Sequence, residues 1–484
     1  MATPLADAEA KTPRTELREE QAVLGRPESP IARLRRAIFR FSHGVALTVA
    51  ALAPLPFGSV ELGWIALWCL LLGLSLTLAS IGEIDATTRR TLIAVLLVFA
   101  VFGATVALQL SDAVAPDPIW SEATRLLGRE LKPIASASAW APVIAMGAPL
   151  LFVLAFCRFA LLGGSSQSAE LTLRVVAWSG LIYVVYSSLA LLIDPTALLW
   201  RDKPAYLGNL TGTFINRNTA ATYFGSVAII WFMRLASAAR RGSSSRLSPS
   251  ERLWLLLSGR DLHLARLGAA FLISLGGVAA TGSRAGFVFT IICLAIAAAI
   301  YGRVDFSLWR RRFWSWLAAA IAIFALFELL GGVVASRVFL LGLNDEGRFN
   351  VYAASIGLIR DHPWLGVGLG NFDVVFPAVR PPDILISGVW DRAHSTPLEF
   401  VIEMGLPLTA LVGGLWLLIL ARLARASLRT RSSTMIAGFA ATLLGCLHSS
   451  VDFSLQIPGY AVAFAAIAGT ATAQAGRLLR DARE

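Results

Sequence analysis

The sequence predicts an all-α, polytopic membrane protein with about twelve transmembrane helices. Of its 484 residues, 56% are hydrophobic and only 15% charged, where soluble domains carry about 25%. The mean hydropathy is +0.67. Apolar runs of roughly 20 residues, the helical length that crosses a ~30 Å hydrocarbon core, recur along the chain. They read as helices because lipid offers no partner to an open backbone group.

Residues 1–36 are polar and mixed in charge, unlike a cleaved signal peptide, and read as a cytoplasmic tail. The basic stretch RLRRAIFR then leads into the first run, which has the character of a retained signal anchor. The runs fall at about 40–58, 60–80, 91–110, 142–161, 173–193, 216–236, 266–282, 284–302, 314–334, 396–421, 434–450 and 458–476. The first five make an N-terminal bundle within 37–200; the others fall in 201–476, and 477–484 is a second cytoplasmic tail. Two outside segments are too long for plain turns. In 111–141, Ile119, Ala123, Leu126, Leu127 and Leu131 share one helical face, which predicts a helix lying on the membrane surface. The longest loop, 335–395, holds an amphipathic helix near 346–360, with Phe349, Tyr352, Ala353, Ile356 and Ile359 apolar. The turn-rich DHPWLGVGLGNF follows it, and loops of this length are usually functional. The segment 240–252, RRGSSSRLSPSER, is a linker.

A net charge of +11 and a pI near 10.1 would suit a nucleic-acid partner. The placement of the charges excludes one. With both termini in the cytoplasm, inside segments hold 30 of the 42 basic residues and outside segments 12, against 14 and 17 acidic ones. That is the positive-inside pattern, with anionic inner-leaflet lipid as the partner. Cys69, Cys157, Cys293 and Cys446 lie in or beside apolar runs without a CxxC pair and read as core residues.

Polar residues gather at the outer ends. Arg217, between Asn216 and Asn218, opens the sixth run, and Arg284 opens the eighth behind Ser283, an N-cap candidate. Arg348 begins the loop helix, and His394 stands just before the tenth run. The sixth, eighth and tenth runs all enter from outside, so their free N–H groups and dipoles favour an anion there. Arginine grips phosphate with two parallel hydrogen bonds and keeps its charge. A single terminal arginine also reads as snorkelling to the interface, and Arg348 also reads as a partner of Asp345. Thr396 as N-cap, Pro397 and Glu399 form a capping box, which makes Glu399 structural. His394 then lies by the positive end of a helix, where neutral imidazole, the form of a general base, is favoured. His448 and Asp452 close the eleventh run as a hydrogen-bonded pair supporting the same face. Glu328, within the ninth run, has no named partner. GVGLGNF imitates a nucleotide-binding glycine loop but lacks a strand–turn–helix setting and reads as a turn. None of the fifteen Asp residues forms an Asp-x-Asp pair, so neither a metal site nor a cofactor is expected.

GTFINRNTAATYFG, TGSRAGF, GRFNVYAASIGLIRDHPWLGVGLGNF, AHSTPLEFVIEMGLPL and HSSVDFSLQIP, in that order, resemble the O-antigen ligase and polymerase family of bacterial membrane glycosyltransferases. The resemblance covers about 205–460. It implies an inner-membrane enzyme with a glycosyltransferase C-like bundle, acting at the periplasmic face. It also implies an undecaprenyl-diphosphate-linked glycan as donor and lipid A core, a glycan or another sugar as acceptor. The family's diphosphate-binding arginines match Arg217 and Arg284, and its loop histidine matches His394. After that histidine the family often has an aromatic and Asn pattern, and this chain departs from it with HSTPLEF. A ligase and a polymerase would share the site and differ in acceptor. The alternative is a polysaccharide flippase or anion transporter, which would show paired half-bundles and broken helices at mid-membrane.

Overall fold

The structure, a computed structural model, describes residues 29–79, 84–241, 261–302, 345–380 and 390–482, without the side chains of 241 and 345–349. A helix covers eleven of the twelve apolar runs; the run 314–334, Glu328 and most of the 240–252 linker lie outside the described residues. The N-terminal helices are α1 (Pro30–Leu52), α2 (Leu62–Thr77) and α3 (Ala86–Gln109). After the short α4 (Ile119–Leu127) and α5 (Ala141–Ala145) come α6 (Gly147–Leu162) and α7 (Ser166–Ile193). A two-stranded hairpin, β1 (Ala197–Leu198) with antiparallel β2 (Arg201–Asp202), precedes α8 (Arg217–Arg241). The second half continues with α9 (Leu262–Ala280), α10 (Arg284–Gly302), α11 (Asp345–Asp361) and α12 (Phe372–Val379). It ends with α13 (Thr396–Thr430), α14 (Ser433–Ser449) and α15 (Pro458–Asp481).

Among the described residues seven helices are long and apolar enough to cross a membrane: α3, α5 with α6, α7, α8, α9, α10 and α13. Helices α2 and α14 are apolar but shorter. Helix α15 differs in kind. It is buried without a gap from Pro458 to Gly476 and runs through the middle of the bundle against α6, α14 and α13. Its Ala, Gly and Thr residues lower its hydropathy yet let backbones meet, the rule for helices packed where lipid gives no hydrophobic drive. At Gly469 a Cβ would lie 2.5 Å from the Phe156 carbonyl oxygen of α6.

The helix expected in 111–141 forms as α4, with Leu126 and Leu127 exposed, but it stops at Gly128. That residue is left-handed, at φ 61°, and its N–H closes the last turn on the Thr124 carbonyl, so Leu131 falls outside the helix. The loop helix forms as α11, rotated from the expected face. Val351, Ser355 and Leu358 point inward while Ala353 and Ile356 are exposed. Both faces have helical spacing, and packing against Phe372, Phe376 and Ile402 selects the one used.

The glycine-rich segment is a turn, and it is seated in a break of α13. Gly405 has φ 78° and ψ 169°, and Pro407 has no N–H to pair with the Glu403 carbonyl. The freed carbonyls of Ile402 and Glu403 accept from Val367 and Gly368 at 2.9 and 3.2 Å. Gln109, at the end of α3, adds bonds to the carbonyls of Leu365 (2.6 Å) and Glu403 (2.8 Å). A Cβ on Gly405 would sit 2.3 Å from the Trp364 carbonyl oxygen. Gly405→Ala therefore combines a backbone conformation that only glycine adopts freely with a backbone clash. It is expected to cost about 3 kcal/mol or more, read as a lowered unfolding midpoint in detergent.

Candidate active site

The starts of α8, α10 and α13 come together at one end of the bundle, with the turn between α14 and α15. Asn216 caps α8, its Oδ1 accepting from the Asn218 N–H at 2.7 Å and its carbonyl from Ala220 at 3.2 Å. Asn216 is thus first a structural cap, and Arg217 is the first helical residue. The Arg217 Nη1 donates to Asn209 Oδ1 at 3.4 Å, and its guanidinium lies 5.3 Å from the Tyr206 ring centroid. A Cβ at Gly282 would come within 3.4 Å of Nη1, so the guanidinium rests against the turn that ends α9. Gly282 has φ 65°, and the next two residues are Ser283 and Arg284. Ser283 caps α10 as expected, its Oγ accepting from Gly286 at 3.3 Å, and Arg284 is exposed beside it. One glycine turn therefore joins the two arginines.

His394 is held from both sides. Its φ of 53° is left-handed, a conformation uncommon outside glycine and kept only where surroundings fix it. Tyr352 of α11 donates its hydroxyl to the His394 carbonyl at 2.9 Å. The preceding N–H, of Ala393, goes to Glu399 Oε2 at 2.7 Å, and Glu399 Oε1 also takes Arg392 at 3.0 Å. The imidazole stands edge-on to Trp390 and Phe453, at 5.4 and 5.1 Å between centroids. Its Nδ1 is buried 3.7 Å from Asp452 Oδ2.

The capping box is corrected here. Ser395 is the N-cap, accepting from Leu398 at 3.4 Å, because the Thr396 N–H and hydroxyl both go to the Asp452 carbonyl. Glu399 does not close on the cap; it reaches back to Arg392 and Ala393 and is 2% exposed. The expected His448–Asp452 pair is corrected too. His448 Nδ1 lies 2.9 Å from Thr222 Oγ1 and 3.1 Å from Ser454 Oγ, and Ser454 in turn donates to Asp452 Oδ1 at 3.4 Å. Ser454 stands between them.

Asp452 is the hub of this end. It is 1% exposed, accepts Asn218 Nδ2 at 2.7 Å, and faces His394 with the same oxygen. One carboxylate thus ties the residue after Arg217 to the candidate base. Arg348 lies in the first turn of α11, but its side chain is outside the described residues. Sequence reasoning did not pick out Asn209, Tyr206, Thr222 or Ser454, and it took Tyr352 only as an apolar-face residue. Thr222 meets His448 across 226 residues and Tyr352 meets His394 across 42, and polar residues in loops carry no periodic signal. Among the described residues no group of three His, Cys, Asp or Glu could hold a metal ion.

No curated protein sequence matches the chain. The family match is narrower than the motif order suggests: it includes Arg284, Arg348, His394 and Glu399 and leaves Arg217, His448 and Asp452 outside. Residues 269–413 match the family model described as O-antigen ligase, so this segment of the chain is similar to that family.

Proposed function

We propose that the protein transfers a glycan from an undecaprenyl-diphosphate donor to an acceptor sugar hydroxyl, in the synthesis of a cell-surface polysaccharide or lipopolysaccharide. In this reading twelve spans cross the bacterial inner membrane with both termini in the cytoplasm. The N-terminal bundle is 37–200, the ligase-like region 201–476, and the site opens to the periplasm. Arg217 and Arg284 bind the diphosphate, with Arg348 reaching it from α11. His394 takes the proton of the acceptor hydroxyl through Nε2 as that oxygen attacks the anomeric carbon. The bond from that carbon to the diphosphate oxygen breaks on the opposite face, so the configuration inverts. The departing diphosphate keeps the electron pair, and the arginines neutralise its growing charge without a general acid. Asp452, beside Nδ1, stabilises the imidazolium that forms. Lipid A core, a glycan chain or another sugar is the acceptor.

The reading rests on Asp452, which lies 3.7 Å from His394 Nδ1 and bonds Asn218, the neighbour of Arg217. A carboxylate so placed serves a base and a leaving-group site together. The test is the purified chain in liposomes with a fluorescent lipid-diphosphate glycan and a sugar acceptor. Donor cleavage with a new glycosidic bond, unaffected by chelator, is expected. Movement of intact donor across the bilayer without cleavage would establish the flippase reading instead.

A further inference from the structure

Beside the arginines lies a hollow that the transfer reading does not use. It is small and open to solvent, and Tyr186, Ser187, Asp194, Lys203, Asn209 and Gly212 are among its lining residues. Lys203 is one of only three lysines in a chain that otherwise uses arginine for positive charge. It is 8% exposed, so more than nine-tenths of it is buried. The hairpin puts it there. β2 ends at Asp202, and the Lys203 N–H bonds the Thr196 carbonyl at 2.7 Å, which ties the residue back to the start of β1. Arg201, two residues earlier, stays at the surface against Glu61 and the Phe57 ring.

The ammonium donates to the Asn209 carbonyl at 2.6 Å, and among the described residues no carboxylate pairs with it. Asp194 shares the hollow but is engaged by the Thr196 N–H and hydroxyl, at 2.9 and 2.6 Å. A buried ammonium has three donors and strongly prefers a counter-charge, so a lone carbonyl leaves it under-compensated. Burial accordingly depresses the Lys203 pKa. Asn209 also receives Arg217 on its side-chain oxygen at 3.4 Å, so a single residue is shared by the lysine and the proposed diphosphate arginine.

We infer that Lys203 and its hollow form an anion subsite adjoining Arg217, which takes a phosphate or carboxylate oxygen of the donor. This deepens the transfer reading and rests on it for the identity of the donor. Lysine suits the place because a compact point charge accepts an oxygen from several directions, where the arginine fork fixes one plane.

The test is binding to the purified full chain in detergent, with farnesyl diphosphate and a uronic-acid-bearing lipid-diphosphate glycan as probes. Lys203→Gln keeps an N–H for the Asn209 carbonyl and removes the charge. It should weaken binding about tenfold, the loss of one charge-assisted hydrogen bond, and Lys203→Arg should recover most of it. Weakening with both probes assigns the subsite to the diphosphate; weakening with the uronic-acid probe alone assigns it to a sugar carboxylate. Unchanged binding of both probes by Lys203→Gln reduces Lys203 to a clamp on Asn209 and overturns the inference. In the wild type, amine labelling of Lys203 should be slowed by at least one of the two anionic probes and not by farnesol; equal labelling with all three overturns the inference without any variant. Arg217→Ala measured alongside separates the two readings. Normal transfer together with normal binding there, beside a Lys203→Gln binding defect, removes the arginine assignment and leaves the subsite standing.

Discussion

His394→Ala should lower glycan transfer about 10²–10⁴-fold, the span typical for loss of a general base, and leave donor binding nearly unchanged. The change removes the imidazole whose Nδ1 faces Asp452, while the groups that hold the backbone stay. Tyr352 still has the carbonyl of residue 394, Glu399 still has the Ala393 N–H, and Ser395 still caps α13. Alanine tolerates a left-handed φ less well than glycine, so His394→Gly serves as a second variant at the same position. Transfer and binding must be measured separately, with a synthetic lipid-diphosphate glycan and its acceptor. Loss of both together would mean that the loop collapsed. Normal transfer in both variants would reduce His394 to a structural residue packed between Trp390 and Phe453.

The helix starts were the legible part of this site. Asn-Arg-Asn and Gly-Ser-Arg in front of apolar runs announce caps and charged mouths, and α8 and α10 begin at Arg217 and Arg284. At Ser395-Thr396-Pro397 either hydroxyl can cap, since proline fits both of the next two positions. What decides between them is the Asp452 carbonyl, which occupies the Thr396 hydroxyl from 56 residues away. The Asn218–Asp452 bond spans 234 residues, and nothing in local composition encodes it. The same limit applies to α15: the run 458–476 reads as one more span, and only the fold shows that it packs against protein along its length. The break at Gly405 shows an intermediate case. The glycines and Pro407 mark irregular backbone, but only the fold shows that the freed carbonyls receive the 363–369 turn and Gln109.

Arg217→Lys should keep the charge and still lose most of the transfer, by about 10- to 100-fold, with Arg217→Ala losing more. The argument is geometric. The guanidinium stands 5.3 Å from the Tyr206 ring centroid and donates to the Asn209 oxygen while resting against Gly282. An ammonium on a shorter, flexible stem reaches one phosphate oxygen where the fork reaches two. The same order, arginine above lysine above alanine, should hold at Arg284, which the Gly282–Ser283 turn presents beside it. Because the leaving group gains charge as the glycosidic bond breaks, the loss should fall more on the turnover rate than on donor affinity. The measurement is single-turnover transfer at saturating donor, with each variant at equal protein level and with an unfolding midpoint close to wild type. Alanine variants at both positions that assemble glycan at the wild-type rate would remove the arginines from the chemistry and leave them as interfacial anchors. A rate defect at Arg217 alone would confine the diphosphate to the Asn209 side of the turn, next to Lys203.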